Sequence, residues 1–295
     1  MLDIFNIPPQ ALFGQLLLGL INGAFYALLS LGLAVIFGML NVVNMVHGAL
    51  YMLGAFAAWL LLQYLGIGYW GAIVIAPILV GLVGFLIERS MLQRLVDSDH
   101  LYGLLLTFGL AWIIEGAFRH YLGGSGKPYP IPVSLTGSYD LGFMFLPVYR
   151  AWVILFSVVV CLGTWLMIEK TRLGSYLRAA TENPTAVRNF GINVPLMVSL
   201  TYAFGAALAG VAGVLAAPIY QVSPSMGANL IIVVFAVVVI GGMGSIIGSI
   251  LTGFALGLLE GLTKVVYPEA SNMVIFVIMG LVLLVKPAGL FGKEA

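Results

Sequence analysis

The segment ALFGQLLLGLINGAFYALLSLGLAVIFGML, residues 11–40, decides the fold. It holds no Asp, Glu, Lys or Arg, and the charge-free sequence around it extends from residue 4 to residue 87. One helix crosses the hydrocarbon core of a bilayer with about 20 apolar residues, so this stretch supplies several crossings rather than a single anchor. The rest of the chain continues in kind: of 295 residues, 62% are hydrophobic and 8% charged, with a mean hydropathy of +1.12. Soluble domains carry about 25% charged residues, and no soluble surface can be built from so few.

Lipid offers no water to unpaired backbone groups, and runs of this length are unsuited to barrel strands, so they read as helices. Charges, prolines and polar clusters punctuate the sequence into spans near 11–40, 46–65, 70–87, 101–122, 149–168, 196–217, 230–243, 246–266 and 272–285. The expected architecture is an all-α integral membrane protein, a polytopic bundle of about 8 to 10 transmembrane helices, in a single domain over residues 1–295. Residues 11–45 fit one tilted helix or two short ones, and residues 241–245 fit a break in a span. The first apolar stretch lacks a basic n-region and outruns a secretory signal, so it reads as mature structure.

Alternating the spans places Arg89, Arg94, Lys170, Arg172, Arg178, Arg188, Lys286 and Lys293 on one side, and Arg119, Lys127, Arg150 and Lys264 on the other. The basic excess marks the first side as cytoplasmic. Residues 119–150 then form the main external loop and 169–195 the largest cytoplasmic one. A net charge of +1 without a basic cluster argues against nucleic acid as a partner. Cys161 stands alone, so neither an intrachain disulfide nor a cysteine-built metal cluster is possible, and it reads as a small core hydrophobe. Small residues recur every four positions at Gly205, Ala209 and Gly213, at Gly244 and Gly248, and at Gly253, Gly257 and Gly261, the spacing that lets helix backbones approach closely in lipid.

The cytoplasmic loop EKTRLGSYLRAATENPTAVRNFGINVP, residues 169–195, reads as two short helices. Asn183 suits an N-cap with Pro184 at the first helical position, and Gly191 suits the residue that ends the turn. Leu177, Ala180, Val187 and Phe190 give it an apolar edge, to be covered by a partner or laid on the lipid interface.

At this loop the chain resembles the permease subunits of bacterial branched-chain amino acid ABC transporters, the matching residues being Gly174, Arg178, Ala179, Glu182, Asn183, Ala186, Gly191 and Ile192. NVVNMVHGALYMLGA at 41–55, GGMGSIIGSILTGFALGLLE at 241–260 and KPAGLFGK at 286–293 resemble the same family's other signatures. Many relatives carry Glu where this chain has Ala49. The resemblance implies a multi-pass permease of the bacterial inner membrane that moves branched-chain amino acids inward, with ATP hydrolysed on partner chains. It further implies that the residues from Gly174 to Gly191 dock ATP-binding cassette subunits, that a second permease, homologous or identical, completes the pathway, and that a periplasmic or extracellular solute-binding protein meets loops such as 220–229. The family also includes permeases for urea, short amides and other amino acids, which stay open as substrates.

Asn41, Asn44 and His47 fall at three-residue spacing and would share one helical face within an uncharged run. With Asn22 they are candidates for the substrate pathway; the alternative is that they hydrogen-bond across to another helix and fix packing. Glu115 and Glu260 lie embedded in apolar sequence, where an acid is a titrating group of a proton-coupled carrier or, with Arg119 and Lys264 four residues on, half of an ion pair. GGSGKP at 123–128 lacks the spacing of a phosphate loop and GGMGSIIG that of a dinucleotide fingerprint. No catalytic residue, cofactor or metal site is expected, and any ATP hydrolysis belongs to another chain. Two rival readings stand, an ion-coupled secondary carrier and an intramembrane enzyme; the second lacks paired catalytic groups. Residues 38–55 and 241–258 share a loose pattern of glycine, Met and small residues, as in transporters built from weakly similar halves.

Overall fold

The computed structural model describes residues 8–40, 43–95, 99–142, 144–271 and 273–292. Its helices are α1 (Pro9–Leu40), α2 (Val46–Leu65), α3 (Tyr69–Ser90), α4 (His100–Leu122), α5 (Val148–Lys170), α6 (Arg172–Glu182), α7 (Pro184–Asn189), α8 (Val194–Ala216), α9 (Met226–Gly241), α10 (Ile246–Val266) and α11 (Val274–Val285). Seven, α1 to α5, α8 and α10, are long and apolar enough to cross a membrane. α9 and α11 are apolar but shorter, with 16 and 12 residues; at the α-helical rise they extend about 24 and 18 Å, less than the ~30 Å core of a bilayer. The described residues thus hold nine apolar helices, seven of them with the length expected of a span, and residues 9–40 form one continuous helix. The loop between α4 and α5 adds a hairpin, β1 (Ser138–Asp140) antiparallel to β2 (Phe145–Pro147), with Tyr139 opposite Leu146.

The chain forms two compact units. Among the described residues the first runs to Ser30 and resumes over Ile131–Leu162 and from Val233; the second comprises Leu31–Pro130 and Gly163–Ile232.

In the first unit, the start of α1 lies backbone to backbone on α10. A Cβ added at Gly257 would sit 2.4 Å from Gly23 Cα, and one at Gly253 would sit 2.6 Å from Ala27 Cα. Helix association in lipid rests on such packing, because the tails are as apolar as the side chains. The break expected at 241–245 is present: Gly242 and Gly244 take φ of +100° and +82°, and Ser245 caps α10 by accepting from the Gly248 amide at 3.1 Å. Gly244 is therefore a turn residue and not a member of a helical row with Gly248. The C-terminal segment folds back onto this turn, Leu290 N–H donating to Ile240 O (2.8 Å) and Phe291 N–H to Gly241 O (3.1 Å).

In the second unit, α8 packs against α2 and α3. Cβ atoms at Gly205 and Gly213 would meet Gly32 O at 2.8 Å and Tyr51 O at 2.1 Å, so both glycines of the Gly205, Ala209, Gly213 row make the close approach that its spacing predicts. Tyr51, Phe56, Leu50, Tyr202 and Leu215 fill the interior. The Phe118 ring of α4 lies 4.8 Å from Phe56 of α2. At the expected external end, Lys127 and Val222 exchange backbone hydrogen bonds of 2.8 and 2.9 Å, and the Lys127 ammonium sits 5.8 Å from the centre of the Trp59 ring. Tyr129 is buried in this loop; burial, with a smaller contribution from Tyr69, pushes its phenol up to about 12, and it stays neutral.

Candidate functional site

The loop between α5 and α8 is a folded object. α6 and α7 are the two short helices that the sequence predicts. Asn183 accepts from the Ala186 amide at 2.9 Å with Pro184 in the first turn, and Gly191 takes φ +79°, a conformation that side-chain-bearing residues rarely adopt. Gly174 is buried because a Cβ there would strike the Ile168 carbonyl. Ala180, Val187 and Val194 form a small core with Met39, Ile192, Met197 and Val198 packed around it. Thr181 donates to Gly38 O at 3.3 Å at the end of α1. Arg178 pairs with Glu169 at 3.2 Å on the exposed side, where Ala179, Glu182 and Phe190 also lie, Phe190 with 84% of its surface open. The loop is thus seated on the end of α1 and the start of α8, with an apolar side chain projecting away.

The pathway candidates divide. Asn41 lies outside the described residues. Asn44 is not on α2: it stands two residues before that helix, which begins only at Val46. Asn44 and His47 therefore do not share the helical face expected of them. Asn44 is 2% exposed and accepts from the Tyr202 hydroxyl of α8 at 3.1 Å. The Met45 amide donates to Thr107 of α4 at 3.2 Å, so side chains of two other helices hold this stretch. His47 is buried in the first turn of α2, where a Cβ at Gly32 would come within 3.0 Å of its ring. One turn of α9 packs here as well, since a Cβ at Gly48 would meet Gly227 O at 2.7 Å. Residues 226–229 are consequently the start of α9 and not part of an open external loop ending at 229.

Asn22 belongs to another cluster. In the first unit it donates to Glu260 at 3.3 Å, Tyr26 donates to the other carboxylate oxygen at 2.7 Å, and Lys264 pairs with the same acid four residues on. Three donors satisfy a carboxylate that is nearly sealed, which is what a buried charge requires. Glu115 likewise pairs with Arg119 at 2.6 Å on α4. Both embedded acids thus take the ion-pair form of the two expected.

The whole arrangement can be compared with known proteins. A family profile described as "Branched-chain amino acid transport system / permease component" matches residues 15–283. The chain belongs to this family. It is 30% identical over 95% of both chains to the high-affinity branched-chain amino acid transport system permease protein BraD of Pseudomonas aeruginosa. It is 29% identical, again over 95% of both, to the LivH permease protein of Escherichia coli. A probable branched-chain amino acid transport permease of Methanocaldococcus jannaschii is 27% identical over 90% of this chain and 88% of its own. No solved structure matches the chain.

In this permease the structure adds polar residues that the sequence did not bring forward. Glu88 of α3 is 1% exposed, more deeply buried than Glu115, and accepts from the Ser199 hydroxyl of α8. Read linearly it is the charge that ends an apolar run, beside the exposed Arg89. Its signal is spacing, since Gly81, Gly84 and Glu88 share one helical face and the two glycines lie against Ala203 and Ala206 of α8. Tyr202 and Thr107 are ordinary residues of apolar helices until their partners are seen.

Proposed function

We propose that this permease carries a branched-chain or similarly small amino acid inward across a bacterial inner membrane, as the membrane subunit of an ABC importer. ATP is hydrolysed on partner ATP-binding cassette subunits that dock on the loop 169–195, and a second permease, homologous or identical, completes the pathway. A solute-binding protein delivers substrate at the external end. The folded α6–α7 loop carries this reading: it is anchored by its own core to α1 and α8 yet presents Phe190 and the Arg178–Glu169 pair outward. The family match supports the substrate class. Docked ATPases shift the permease between outward-open and inward-open states only if they interact differently with each. Asn44 and His47 are pathway residues in this reading, lying where α2, α8 and α9 meet.

The test is purification of the chain from its native membrane with identification of what accompanies it, then the variants Glu182→Lys and Gly191→Trp. Both variants should insert normally while losing ATPase association and transport, Gly191→Trp because its φ of +79° is strained for tryptophan. Normal transport by either variant would remove the docking role.

A further inference from the structure

We propose that Glu88 and Ser199 form the joint through which movement of the docking loop reaches the segment that opens α2, making both of them positioning residues for transport. The proposal rests on the docking reading above. α8 begins at Val194, three residues after Gly191, with Asn193 as its cap accepting from the Leu196 amide at 3.0 Å. No slack separates loop from helix. Val194, Met197 and Val198 belong to the loop's own small core, so the loop and the first turns of α8 move together. The next residue, Ser199, donates to Glu88 of α3, and Tyr202, three residues further on the same face, donates to Asn44. Displacing the start of α8 therefore pulls on α3 and on the stretch leading to His47 at once.

Packing does not call for an acid at residue 88. The α3–α8 crossing is already made by Gly81 and Gly84 against Ala203 and Ala206, and Glu88 forms no ion pair among the described residues, the exposed Arg89 beside it acting on it only through its charge. A nearly sealed carboxylate with one hydroxyl donor is costly in a bundle, whereas Gln or Leu would fill the same space. What the acid adds is a strong directional tie. The Asn44 amide nitrogen is buried and has no hydrogen-bond acceptor among the described residues. The network therefore holds a spare donor, which a shift of α8 would have to bring to an acceptor for the joint to have its second arrangement. Two discrete arrangements are what coupling through a contiguous network requires.

The test uses the complete importer, with both permeases, its ATPases and its binding protein, in proteoliposomes. Ser199→Ala, Glu88→Gln and Tyr202→Phe are compared with the control Gly280→Ala, whose added Cβ would meet nothing within 4 Å. Expected for Ser199→Ala and Glu88→Gln are wild-type recovery of the ATPases, a melting temperature lowered by about a few degrees at most, and a fall of about tenfold in substrate moved per ATP hydrolysed, far more than that loss of stability accounts for. Ser199→Thr, which keeps the hydroxyl, should restore the ratio. A wild-type ratio in Ser199→Ala overturns the proposal, as does a loss of transport that merely tracks a lowered melting temperature. Should Glu88→Gln fail to fold, Ser199→Ala and Ser199→Thr decide alone. Glu182→Lys is run in parallel: if it leaves ATPase association intact, the docking reading has failed and the joint with it, whereas its expected loss beside an unchanged Ser199→Ala ratio overturns only the joint.

Discussion

Replacing Gly257 by alanine adds one methyl group at the place where α1 and α10 come closest. The new Cβ would lie 2.4 Å from the Gly23 Cα and amide nitrogen and 2.5 Å from the Gly19 carbonyl, all of them backbone atoms that no rotamer change can move. Ordinary carbon contacts begin near 3.5 Å, so the helices must part by about 1 Å. A gap of that size forfeits a quarter to a half of each dispersion contact along the seam, and overpacking of this kind costs ~1–3 kcal/mol. Neighbouring sites magnify the effect, because Gly253 and Gly261 make approaches of 2.6 and 2.4 Å on the same seam. Alanine's better helix propensity returns at most ~1 kcal/mol. The expected net destabilisation is about 2 kcal/mol, toward the upper part of the overpacking range less the propensity gain. Gly280→Ala in α11 is the internal control, since its Cβ would meet nothing within 4 Å; it should be neutral or slightly stabilising. Unfolding in mixed detergent micelles, followed by circular dichroism, measures both. If Gly257→Ala proves as stable as Gly280→Ala, the α1–α10 seam is not a close-packed contact and the reasoning fails.

The Glu260 cluster makes a second prediction. Lys264→Ala should destabilise by about 2 kcal/mol, less than for a fully buried pair because Lys264 is partly exposed, and Glu260→Gln in the same chain should recover most of it; unfolding of the four members of this cycle checks both, and a coupling near zero would show that the pair contributes nothing. At the loop, Asn183→Ala removes the acceptor of the Ala186 amide and should cost α7 about 1 kcal/mol. Hydrogen exchange should quicken over residues 184–189 with global stability unchanged, and unaltered protection there would refute the cap.

Features set by short-range rules were legible in the sequence. The spans follow from apolar runs that a bilayer can hold only as helices, so most helix ends fall within a few residues of expectation. The α6–α7 loop follows from a cap read across three residues and a glycine that ends the turn. The pairs Glu115–Arg119 and Glu260–Lys264 follow from spacing on one helix. The α9–α10 break was visible because two glycines flanking Met243 cannot continue a helix cheaply, but the fold-back of residues 286–292 onto it was not.

What the sequence alone determined is that this chain is a many-helix membrane protein with a folded loop between α5 and α8, because backbone solvation in lipid and local capping depend on composition and near neighbours. Tertiary structure alone decided which glycines touch, that Asn44 stands outside α2 and meets Tyr202, and that Glu88 is sealed against Ser199 while Arg89 is exposed. A helix that is apolar all round carries no stripe to say which face it turns inward. Only the neighbouring helix supplies that information, and with it the partners of every buried polar group.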